Sequence, residues 1–144
     1  MDGSPLAVMS PIEVSLKGTD RYLIPVAATF GFMAVALGAF GTHGLKERLT
    51  PEMLAIWHTG VEYHLAHSMA ALLAGILYVQ SGHRLARVAG WLFIVGNVVF
   101  GGSLYVLAVT GTRWLGAITP LGGLAYLAGW LLLAVSTAVP SAPA

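Results

Sequence analysis

The chain has 144 residues, 57% of them apolar and only 9% charged, against about 25% charged in an ordinary soluble domain. Seven basic and six acidic side chains leave a formal net charge of +1, which excludes a nucleic-acid-binding surface, a disordered acidic or basic chain and a typical cytosolic domain. Cysteine is absent, so disulfides, thiolate metal sites and redox motifs are excluded as well.

Residues 1–21 hold Gly3, Pro5, Pro11 and Gly18 among serines and mixed charges, and predict a polar N-terminal arm. Beyond them charges mark the ends of segments, because an ionised side chain at the centre of a spanning helix costs about 2.5 to 3.5 kcal/mol. Residues 22–45 and 88–112 are free of formal charge, as is everything after Arg113. A helix needs about 20 apolar residues to cross a hydrocarbon core of about 30 Å. The expected spans are therefore 22–41, 62–80, 86–109 and 115–137, with a C-terminal tail over 138–144. Two-residue alternation is missing, and backbone groups in lipid must be bonded within a helix or a closed barrel, so the fold class is all-α: an integral membrane bundle of four transmembrane helices.

Between the first two spans, Thr50-Pro51-Glu52 reads as an N-cap, a first-turn proline and a first-turn acid. Met53, Leu54, Trp57 and Val61 follow at helical spacing, which predicts an interfacial helix over 51–61 running without a break into the second span. Arg84 and Arg87, with Lys17 and Arg21 of the arm, outnumber Lys46, Arg48 and Arg113 on the other side. That balance leans towards both termini in the cytoplasm.

Several residues inside the spans are exceptions to an apolar pattern. Ala34/Gly38, Ala86/Gly90 and Ala125/Gly129 are small pairs four apart, a spacing that lets helix backbones approach in lipid. Gly101, Gly102, Gly122 and Gly123 are read the same way, as close-packing positions rather than a nucleotide loop, since no strand precedes them. Pro120 predicts a kink or irregular first turn, with Thr119 available to bond a freed carbonyl. Asn97, in mid-span, is expected to face another helix, because an unpaired amide in lipid is costly.

Strings scattered along the chain resemble the YgdD-like family of small membrane proteins, whose eukaryotic relatives are called transmembrane protein 256. They are Gly38-Ala39-Phe40-Gly41-Thr42-His43-Gly44-Leu45-Lys46, Trp57-His58-Thr59-Gly60-Val61-Glu62-Tyr63-His64 with His67, Gly101-Gly102-Ser103-Leu104-Tyr105 with Thr110-Gly111, and Ile118-Thr119-Pro120-Leu121-Gly122-Gly123 with Gly129-Trp130. The resemblance covers about residues 24–134. It implies a four-helix integral membrane protein of uncharacterised function, in a bacterial inner (cytoplasmic) membrane. Glu62 and His64 stand where such relatives often carry uncharged polar residues.

The residues that could carry chemistry are His43, His58, Glu62, Tyr63, His64 and His67, gathered by topology at one membrane interface, with Asn97 and Ser103 beyond them. His64 and His67 share one helix face, and His58 and Glu62 another. Three readings follow: ordinary polar residues at headgroup depth, a polar track for a proton or small solute, or a divalent metal held by His64 and His67 with His43 or Glu62. No cofactor is predicted. His67 lies deepest and is expected to be a neutral imidazole bonded through both ring nitrogens, with Asn97, Ser103 or Tyr105 as partner.

Ser103 lacks a base and acid partner, and no nucleotide loop is present, so catalysis is not expected. The favoured function is a structural or accessory membrane component, embedded in the lipid bilayer and packed against itself as a homo-oligomer or against a larger membrane complex. The alternative is a proton, metal or small-solute carrier or sensor built on the His/Glu cluster.

Overall fold

A computed structural model describes residues 22–139; the expected N-terminal arm over 1–21 and the end of the expected tail, 140–144, lie outside the described residues. Every regular element described is helical. Helix α1, Leu23–Phe40, is continued by a π turn, Gly41–Leu45. Helix α2, Pro51–Ser81, is the longest. Helix α3, Arg84–Gly96, runs through a second π turn, Asn97–Gly101, directly into α4, Gly102–Thr110, so that the three form one rod. A 3-10 turn, Arg113–Ala117, leads to α5, Thr119–Ala138.

Local chemistry explains the ends. Thr50 is extended, and its hydroxyl accepts from the Met53 N–H at 3.3 Å, with Pro51 at the first helical position. The interfacial segment 51–61 and the second span thus form a single helix. Gly82 (φ 67°) and Gly111 (φ 70°) close α2 and α4 in the left-handed conformation, each bonding back to a carbonyl of the last turn. The imidazole of His83 accepts from the Leu85 N–H at 3.3 Å and caps α3. Pro120 sits in the first turn of α5 rather than inside a kinked helix, and the irregularity falls in the preceding 3-10 turn.

Among the described residues three stretches are long and apolar enough to cross a membrane: Leu23–Leu45, Arg84–Thr110 and Arg113–Ala138, with mean hydropathies of 2.0, 2.1 and 1.7. Helix α2, expected as a fourth span, is not among them, because its histidines and Glu62 lower the average. Its residues are nevertheless sorted. Trp57, Gly60, His64, His67, Ser68, Ala71, Ala74 and Gly75 are buried, whereas Leu65, Met69, Leu73 and Ile76 are exposed.

Two apolar clusters hold the helices together. Leu23 and Ala27 of α1, Ala70, Ala71 and Ala74 of α2, Ala86, Ala89, Phe93 and Ile94 of α3, and Tyr126 and Leu133 of α5 make the larger one. Leu45, Trp57 and Ala108 make a smaller one towards the other end. The buried polar residues His64, His67, Ser68, Asn97 and Ser103 fall between the two along α2 and the α3–α4 rod.

Glycine sets the closest approaches. A Cβ on Gly90 would lie 2.6 Å from the Leu23 side chain, one on Gly129 2.7 Å from the Phe93 ring, and one on Gly38 3.2 Å from Val61. At Gly122 it would collide with the backbone nitrogen of Phe100, so α5 crosses the second π turn in backbone contact. A Cβ on Gly101 would make ordinary contacts, but among the described residues one on Gly102 would meet nothing within 4 Å and one on Gly123 only the Phe100 ring at 4.0 Å. Those two are therefore not the close-packing positions expected of them. Gly96, where a Cβ would meet the Tyr126 ring, and Gly60, where it would lie 2.9 Å from Tyr105, are.

Candidate functional site

On α2, positions 64, 67 and 68 fall on one face by helical spacing, and that face is turned inward. Asn97, where α3 passes into the π turn, is 2% exposed. Its amide nitrogen donates to Ser68 Oγ at 3.1 Å and its carbonyl oxygen accepts from the Tyr126 hydroxyl at 2.9 Å. Ser68 in turn donates to the His64 carbonyl at 2.7 Å. One amide thereby fastens α2 to α5 through the rod between them.

The deeper histidine is held from four sides. His67 Nδ1 lies 2.8 Å from the Tyr63 carbonyl, and Nε2 accepts from the Trp130 indole N–H at 3.2 Å. The carbonyl can only accept and the indole can only donate, so the partners require the neutral ring with its proton on Nδ1. Tyr126 stacks on the imidazole at 3.5 Å between centroids and 13° between planes, and Phe93 lies at 5.7 Å. The partner expected for His67 on the third span is thus replaced by Trp130 of α5. Asn97 has turned to Ser68 and Tyr126, and Ser103 bonds the Phe100 carbonyl and the Thr119 hydroxyl at 2.9 and 2.8 Å. Thr119 also reaches the Leu115 carbonyl at 3.3 Å, across the start of α5.

His64 takes the tyrosine. Its Nδ1 is 3.1 Å from the Tyr105 hydroxyl, and Phe30 of α1 lies against the ring at 5.4 Å. The other nitrogen, Nε2, is buried and has no hydrogen-bond partner among the described residues. His64 and His67 are therefore drawn to different helices, the first to α4 and the second to α5.

The expected interfacial cluster does not converge. His43 and Glu62 are exposed and His58 is half-buried, and among the described residues no three His, Asp or Glu side chains come together as metal ligands would. Of the expected group only Tyr63 and His67 meet: Tyr63, 45% exposed, stacks on the His67 ring at 5.8 Å and on Phe100 at 4.7 Å. Residue spacing puts these groups on neighbouring turns, but the faces they occupy differ.

Tyr63, His67 and Phe100 also line a groove of about 540 Å³ with Pro120, Gly123, Leu124, Tyr126, Leu127 and Trp130. It opens sideways between α2 and α5. Beyond Trp130 a second groove, of about 430 Å³, continues along α2 past Met69, Leu73 and Ile76. Sequence reasoning missed Ser68, Tyr126 and Trp130 as members of this site. The available signal was the four-residue spacing of Tyr126 and Trp130, which places both on one face of α5.

Residues 37–123 match a family described as protein of unknown function (DUF423). The UPF0382 membrane protein YwdK of Bacillus subtilis (strain 168) is 43% identical over 117 residues, covering 81% of this chain and 95% of the relative. A UPF0382 membrane protein of Staphylococcus haemolyticus is 43% identical over 119 residues, and one of Staphylococcus aureus (strain bovine RF122 / ET3-1) 38% over 119, with the same two coverages. No solved structure matches the chain. Bacterial relatives named as membrane proteins, together with three apolar helices of spanning length, fit a multi-pass protein of the cytoplasmic membrane. The chain belongs to the DUF423 family, a group of small membrane proteins whose function is uncharacterised.

Proposed function

We propose that the chain crosses the bilayer four times and serves as a non-catalytic structural or accessory component of the membrane. The observation that carries this reading is the inside-out sorting of α2. His64, His67 and Ser68 are buried, while Leu65, Met69, Leu73 and Ile76 are exposed along one stripe. In water that arrangement would waste apolar burial and desolvate polar groups. In lipid it is the stable one, since polar side chains then turn towards other helices. Asn97, Ser68, Ser103 and His67 each share a hydrogen bond with a neighbouring element of the same chain, which supports a fastening role.

Phe32 and Val35 of α1, and Leu127 and Leu131 of α5, are more than half exposed. They are free to meet lipid, a second copy or a larger complex. Kinship with the YgdD-like proteins and transmembrane protein 256 belongs to this proposal, supported by the strings over 38–46 and 57–64 within the matched region. Single cysteines at Thr50 and Gln80 test the fourth span. Labelling from opposite sides of sealed vesicles is expected, and labelling of both from one side would lay α2 on the surface. Native mass spectrometry in mild detergent tests the accessory role, which requires copies or subunits to co-purify.

A second reading, a proton carrier, is favoured by one observation, the unpartnered Nε2 of His64 beside Tyr105. Proton flux into reconstituted vesicles that is abolished by His64→Gln would establish it.

A further inference from the structure

We infer that the groove between α2 and α5 is a binding site for a neutral, ring-headed membrane lipid of the quinone class. The inference rests on α2 crossing the bilayer, which places the groove at hydrocarbon depth. Four observations define the occupant.

The first is charge. None of the residues lining the groove is ionised in the bonding pattern described, and Lys46, Arg48, Arg84, Arg87 and Arg113 are not among them. A phospholipid head carries a phosphate that seeks a cation or a cluster of donors, so this lining suits an uncharged head. The second is size. A two-turn helix about 10 Å across and about 11 Å long fills roughly 900 Å³, more than the groove of about 540 Å³. A small-molecule head fits the usual range of ligand sites.

The third is the chemistry of the walls. Five of the nine lining residues are rings, Tyr63, His67, Phe100, Tyr126 and Trp130, whereas an acyl chain alone is matched by aliphatic walls. Ring faces favour a flat unsaturated partner in offset or edge contact. Tyr63 contributes more than a face. Its ring rests on Phe100, and among the described residues its hydroxyl makes no hydrogen bond, which leaves a donor for a quinone carbonyl. The Trp130 N–H, by contrast, is already committed to His67.

The fourth is continuity. Trp130 also lines the second groove, which follows Met69, Leu73 and Ile76 down α2. Helices α2 and α5 run in the same direction, since each packs antiparallel to the rod between them. A prenyl tail can therefore leave the aromatic chamber past Trp130 and lie along α2 towards the opposite membrane face. Ring head and apolar tail thus have separate compartments in line.

The test uses the full chain in phosphatidylcholine nanodiscs, titrated with decylubiquinone while tryptophan fluorescence is read. Saturable quenching is expected, with the saturable part lost in Trp130→Phe. Tyr63→Phe should weaken binding about fivefold to tenfold, the value of one hydrogen bond. Gly123→Leu should abolish saturation, because a side chain there enters open groove and meets only the Phe100 ring. Unchanged thermal unfolding of the two groove variants separates lost binding from lost fold. Quenching that rises linearly with quinone and is identical in all variants would show mere solution in the bilayer and overturn the inference. Displacement of decylubiquinone by brominated phospholipid would overturn it too, by making the groove an ordinary lipid seam. Cysteines at Thr50 and Gln80 labelled from one side would instead fail the four-span reading, independently of the titration.

Discussion

Asn97 shows how one polar residue can be both a cost and a fastener. Replacing it by leucine removes the acceptor of the Tyr126 hydroxyl and the donor to Ser68, leaving buried groups unpaired at about 1 to 3 kcal/mol. Hydrogen bonds between membrane helices average about 0.6 kcal/mol of coupling in double-mutant cycles. Asn97→Leu should therefore destabilise by more than that average, and adding Tyr126→Phe should restore part of the loss. Unfolding measured as a double-mutant cycle checks this, and strictly additive losses would show that the pair is not coupled. At His67 the bonding pattern predicts a ring protonated on Nδ1 and accepting at Nε2, which imidazole ¹⁵N shifts read directly. Trp130→Phe should shift the Nε2 resonance and cost about 1 kcal/mol; an unmoved resonance would mean that the indole bond is not made.

At the scale of elements the decisive feature is the π turn at Asn97–Gly101, which changes the phase of the rod between α3 and α4. Gly122 crosses that turn in backbone contact, whereas Gly102 stands in helical conformation with open space around it. Alanine at these positions should have opposite effects. Gly122→Ala would force α5 off the rod and lower the melting temperature, because the opposing backbone cannot move aside as a side-chain end can. Gly102→Ala should raise stability by up to about 1 kcal/mol through helix propensity alone. Thermal melts in one detergent test both, and a tolerated Gly122→Ala would show the crossing to be looser than described. The two glycines look alike in sequence, each beside another glycine in an apolar helix. Only the opposing helix tells them apart.

At the scale of the whole molecule, the proposed four crossings would put both termini on one face and the 46–52 turn on the other. Cysteines at Ser4 and Ser141 should be labelled from the side opposite to Thr50, as checked with an impermeant maleimide on oriented vesicles. Labelling of all three from one side would defeat the four-span arrangement. The outer surfaces of α1 and α5 remain apolar over most of their length, so the same protein in water should aggregate rather than refold as a monomer.

The primary sequence determined the helical membrane class and most helix ends, because those depend on local quantities. The cost of a charge in lipid, the cap at Thr50, and the glycines at Gly82 and Gly111 all act within a few residues of themselves. It also showed that Asn97 and His67 need partners, since desolvation is a property of the group. Which partners they take was decided by tertiary structure alone. Asn97 meets Ser68 and Tyr126 across 29 residues in either direction, and His67 meets Trp130 across 63. Such pairings depend on a π turn and a glycine crossing that set the phase of two helices, and spacing along one helix carries no information about the phase of another. The sideways groove has the same origin: it is the space left where α2 and α5 lean on a common rod, with Trp130 reaching across.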